Sequence, residues 1–81
     1  MQTVDVTKLK DPVRVLLNAF EPGTNPRGTQ VIYYIGDYFD QVGRTAIGRA
    51  AWDLYASGKA DLVQRVIKKS PRIYEYIAQV K

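Results

Sequence analysis

The chain has 81 residues, 46% of them hydrophobic, and contains neither cysteine nor histidine. This length predicts one domain spanning residues 1–81, and the apolar fraction excludes an intrinsically disordered chain. No disulfide, thiolate nucleophile or imidazole base can be built, and no apolar run approaches the roughly 20 residues of a membrane-spanning helix.

The opening "MQTVDVTKLKDP" lacks the basic-then-apolar layout of a secretory signal, so the expected location is cytoplasmic. Within that opening, "TVDVT" alternates and predicts a short edge strand. Next comes a helix start. The Asp11 side chain can accept from a free backbone N–H, and Pro12 lacks the N–H that the first turn leaves orphaned. Val13, Leu16, Leu17 and Phe20 then recur at helical spacing as one apolar stripe. The helix must end before "EPGTNPRG", whose prolines and glycines forbid its continuation.

"TQVIYYIG" is rich in β-branched and aromatic residues and predicts a strand inside the fold. Strict alternation assigns Val31, Tyr33 and Ile35 to one face and Ile32 and Tyr34 to the other. In the segment that follows, Asp37 and Asp40 share a face if it is helical. Such a pair could hold a hard cation or act in acid–base chemistry. The simpler reading is an acidic helix start, and one pair with no base or further ligand is too little for an enzyme. The expectation is a non-enzymatic protein without cofactor or metal.

Thr45 can cap the main helix, in which Ile47, Ala50, Ala51, Leu54 and Tyr55 form the expected buried face. Gly58 sits where a left-handed C-terminal residue is wanted. If "DYFDQV" makes a separate turn broken at Gly43, the outline is a helix-turn-helix; a single helix from about residue 38 is the rival reading. Gly48 in the helix interior implies a close approach. Trp52 falls off the apolar stripe, as either an interface anchor or a cover for the core edge.

The last twenty residues, "LVQRVIKKSPRIYEYIAQVK", read as a β-hairpin. Setting Ile67 opposite Ile73 places Arg65 against Glu75, Val66 against Tyr74, Gln64 against Tyr76, Val63 against Ile77 and Leu62 against Ala78. Leu62, Val66, Tyr74, Tyr76, Ala78 and Val80 then face the core. Val63, Ile67, Ile73 and Ile77 make the other face too apolar to be wetted throughout, which predicts a second contact there. The turn "KKSPR" projects Lys68, Lys69 and Arg72.

Charge sharpens this picture. The formal net charge is +4, yet six cations and six anions cancel over residues 1–57, so all of it lies in residues 58–81. Such asymmetry favours an acidic or polyanionic partner. The order helix, strand, helix, strand, basic turn, strand matches a winged helix. The predicted fold is therefore α+β and winged-helix-like, helix–strand–helix–β-hairpin with a small antiparallel sheet. In that arrangement the helix before the hairpin enters the major groove and the hairpin turn touches the DNA backbone or minor groove. The nucleic-acid-facing candidates are Arg44, Thr45, Gly48, Arg49 and Trp52 on the helix, and Lys68, Lys69 and Arg72 on the turn.

The pattern "VIYYIGD", "AAWDLYASGKADLVQRV" and "YEYIAQVK" resembles small phage and prophage proteins. The shared elements are Tyr33 and Gly36 of an aromatic strand, Gly58 after a helix, Leu62, Gln64 and Arg65 of the next strand, and Tyr74, Tyr76, Ile77 and Ala78 of the last. This chain departs from that pattern at Tyr34, where a histidine is usual, and in "DYFDQ". The resemblance implies a compact accessory or host-directed protein. Two functions follow. One is a nucleic-acid-binding regulator that grips duplex DNA through residues 44–57 and the turn 68–72. The other is an inhibitor or modulator that docks on an acidic host protein through Trp52, Val63, Ile67, Ile73 and Ile77; a homodimer through the hairpin is a further option.

Overall fold

In a computed structural model, which describes residues 2–37 and 43–81, two helices pack on one face of a four-stranded open sheet. The elements are β1 (Thr3–Asp5), α1 (Pro12–Ala19), β2 (Gln30–Gly36), α2 (Ala46–Ala56), β3 (Ala60–Lys69) and β4 (Arg72–Val80). The class is α+β. The helical turn expected in "DYFDQV", and Asp40 with it, lie outside the described residues.

The strand order is β1-β2-β4-β3. β4 runs antiparallel to both β2 and β3, whereas β1 pairs parallel with β2. The sheet is thus mixed, not wholly antiparallel as expected. The reason is the connection: α1 carries the chain from β1 back to the same end of the sheet, and parallel strands require such a crossover. β4 comes last in sequence and lies between β2 and β3, which makes it a central strand.

Local chemistry accounts for each helix. The Asp11 carboxylate accepts from the Arg14 N–H at 3.3 Å, with Pro12 in the first turn. The Thr45 hydroxyl accepts from the Gly48 N–H at 3.1 Å. Each bond satisfies one of the donors that a helix start leaves open. α2 ends at Ser57, and Gly58 follows at φ +79°, a conformation that an L side chain rarely adopts.

The core is built from Leu16, Ala19 and Phe20 of α1, Ala50, Ala51 and Leu54 of α2, and Val31, Tyr33, Tyr76 and Ala78 of the sheet, with Val6 and Ala60. Two stripes are rotated from those expected. In α1, Leu17 is exposed while Ala19 is buried; in α2, Tyr55 is exposed while Gly48 is buried. Small residues turn inward in both cases because they let the helix axes approach their neighbours, leaving the bulky ring and leucine at the margin.

β2 also departs from strict alternation. Its register with β4 shifts between Ile32 and Tyr34, so Val31 opposes Ala78 and Tyr34 opposes Tyr76. One extra residue brings Tyr33 and Tyr34 together onto the core and sends Ile35 to the surface. Gly36 lies close beside this cluster: a Cβ there would come 2.7 Å from the Tyr34 ring, which would have to shift.

Candidate nucleic-acid interface

The hairpin forms as expected, with Leu62, Val63, Gln64, Arg65 and Val66 opposite Ala78, Ile77, Tyr76, Glu75 and Tyr74. One pairing differs. The register shifts at Ile67, so Lys68 opposes Ile73 and Lys69 opposes Arg72, leaving only Ser70 and Pro71 between the strands. The bulge reconciles the longer β3 with a shorter turn than "KKSPR".

This ribbon outruns the helix beside it. Ten residues of β3 span about 33 Å at strand rise, whereas the 11 residues of α2 span about 16 Å at helical rise. Val66 and Ile67, 46% and 49% exposed, therefore lie on bare ribbon. Val66, expected in the core, is beyond the reach of α2. Lys68, Lys69 and Arg72 cap the ribbon, all exposed, and no carboxylate among the described residues pairs with them. Arg65, one step inward, is held instead: it bonds Glu75 at 2.7 Å.

The helix candidates separate into distinct environments. Arg44 and Arg49 are exposed. Thr45 spends its hydroxyl on the cap, and Gly48 is buried, so neither offers a free contact as expected of them. Asp53, exposed on the same helix, offsets one of the arginine charges. Trp52 is 59% exposed and packs on Tyr55 with ring centroids 5.2 Å apart. That placement makes it a surface ring, not a core cover.

The other hairpin face holds one surprise. Ile73 is half-buried and Val63 is 39% exposed, but Ile77, expected at a partner contact, is only 1% exposed. Ile77 lies opposite Ile32 on one side and Val63 on the other, in the middle of the sheet. So enclosed, it cannot reach a partner.

A feature not anticipated from sequence is a groove of about 630 Å³ between α2 and β3. Trp52 and Tyr55, Leu62 and Gln64, and the rings of Tyr33 and Tyr76 line it, with Arg49 and Asp53 at its polar rim. Burial pushes the Tyr33 hydroxyl up to about 12, because the phenolate loses water, and the neighbouring Tyr76 adds to the rise. Tyr33 is therefore a neutral wall of the groove at ordinary pH. The groove could have been sought from the off-stripe Trp52, but its far wall depends on where β3 lands. Among the described residues no cluster of acidic side chains could hold a metal ion. Comparison with protein-family models, with curated proteins and with solved structures finds no match for this chain.

Proposed function

We propose that this chain is a small, non-enzymatic nucleic-acid-binding protein of regulatory type that contacts duplex phosphates through the β3–β4 turn. The observation that carries the reading is a projecting ribbon capped by Lys68, Lys69 and Arg72, none paired with a described carboxylate. Three cations held away from the body can meet a polyanion without first breaking internal bonds. The succession α1, β2, α2, β3, basic turn, β4, with β4 between β2 and β3, supports a winged-helix plan to which β1 is an addition. On that plan α2 presents Arg49, with Arg44 just before its start, beside the duplex. Lysine-rich turns and a single exposed helix arginine suit backbone contact more than base reading.

The test is anisotropy of a labelled duplex at several salt concentrations. Binding should weaken steeply with salt, and the triple variant Lys68→Ala/Lys69→Ala/Arg72→Ala should flatten the log–log salt slope by up to about 3, near one unit per lost phosphate contact. Trp52→Ala should leave that slope alone. Absence of duplex binding at low salt, or a triple variant with an unchanged slope, would falsify the proposal.

A further inference from the structure

β3 is an edge strand of two unlike halves. From Val66 to Lys69 it carries the register shift and two lysines, both of which discourage pairing with another strand. From Ala60 to Arg65 the register is regular, without lysine or proline. The backbone of that half opens outward. Val80 directs both its groups toward the β2 side, its N–H donating to the Thr29 carbonyl at 2.9 Å and its C=O accepting from the Gly28 N–H at 2.8 Å. Antiparallel alternation along β4 therefore turns Leu62 and Gln64, opposite Ala78 and Tyr76, away from β4. No hydrogen bond involving described residues engages these outward groups. Leu62 and Gln64 also line the groove beside Trp52 and Tyr55. An open strand edge and an aromatic slot thus meet at the same two residues.

We propose that β3 accepts an extended segment of a protein partner as a fifth strand, paired along Leu62 and Gln64, with one apolar side chain of that segment seated in the groove against Trp52. Main-chain bonds supply affinity in such strand addition, and pockets for alternate side chains supply specificity. Charge selects the occupant. Past Arg65 the strand continues to Lys68 and Lys69, which no described carboxylate pairs, so the segment is acidic toward the turn. A second copy of this chain, paired antiparallel along Leu62 and Gln64, would set Arg65 against Asp61 but leave Lys68 and Lys69 opposite Gly58 and Ser57, so an acidic segment complements the strand better. The segment shares Lys68 and Lys69 with the phosphate contact, whereas the strand edge at Leu62 and Gln64 and the groove belong to the segment alone.

The probe is a short fluorescein-labelled peptide of alternating valine and threonine with a central leucine and an aspartate run at one end, made with the aspartates at either terminus. One orientation should bind saturably, about tenfold more tightly than the same peptide bearing lysines in place of the aspartates. Methylating the peptide's alternate backbone nitrogens on its pairing edge should abolish capture. Gln64→Pro removes one outward N–H while sparing the ladder to β4, as edge prolines do, and should abolish capture while leaving duplex binding intact. If that variant fails to fold, the methylated peptide makes the same test on the unaltered protein. The proposal is overturned if neither peptide saturates, if methylated and plain peptides bind alike, or if sedimentation shows a dimer that Gln64→Pro dissociates, which would make a second copy the occupant.

Discussion

Arg65 of β3 directs both Nε and Nη2 to one oxygen of Glu75 on β4, at 3.0 and 2.7 Å. The two residues are direct cross-strand partners, and the Glu75 side chain is only 15% exposed while that of Arg65 is 55% exposed. The pair thus sits where the ribbon leaves the body and fixes its register. A double-mutant cycle with Arg65→Ala and Glu75→Ala should give a coupling of about 0.5–1 kcal/mol that shrinks as salt rises. Additive single effects in denaturant melts would show the contact to be energetically idle.

The start of α2 makes a second prediction. Thr45→Ala leaves the Gly48 N–H without its acceptor and should lower stability by about 1 kcal/mol, whereas Thr45→Ser should keep most of it. Equal losses for the two variants in urea melts would mean that the methyl group, not the hydroxyl, matters.

Thr29 offers a gain. It is 1% exposed, and its hydroxyl has no hydrogen-bond partner among the described residues. Thr29→Val removes a buried polar atom at nearly constant volume and should raise stability by about 1 kcal/mol. A loss of similar size would reveal a partner for that hydroxyl, such as a buried water.

Tyr33 predicts a pH dependence. Its pKa in the folded protein is pushed up from 10.0 to about 12 by burial. Ionisation therefore favours the unfolded chain: the stabilisation is fully present below pH 10 and is lost as pH climbs from 10 through about 12. Tyr33→Phe should blunt this alkaline loss, read as denaturation midpoints across that range. Identical alkaline profiles for the two proteins would assign the loss elsewhere.

Trp52, the chain's single tryptophan, should emit as a solvent-exposed indole and be open to quenching by iodide. Trp52→Ala should change stability by less than about 1 kcal/mol, because an exposed ring creates no core cavity when removed. A cost of several kcal/mol would place the ring in the core after all.

Much of this molecule is written locally. Asp11–Pro12, Thr45 and Gly58 mark helix ends through bonds and backbone conformations that involve only near neighbours. The hairpin register followed from opposite charges at Arg65 and Glu75, and the cationic turn from composition alone. What sequence reasoning misplaced are features set by distant partners. An extra residue in β2 moves Tyr34 to the core, one in β3 tightens the turn, and both were invisible because alternation is legible only until a bulge resets it.

The α+β class, the positions of the described elements and the positive charge gathered in residues 58–81 were all legible in the order of amino acids, since propensity, capping and charge act over a few residues. The parallel pairing of β1 with β2, the enclosure of Ile77, the exposure of Trp52 and the groove between α2 and β3 came from the packed chain. Those outcomes depend on which surfaces meet across the chain, and burial is a property of the meeting, not of either segment alone.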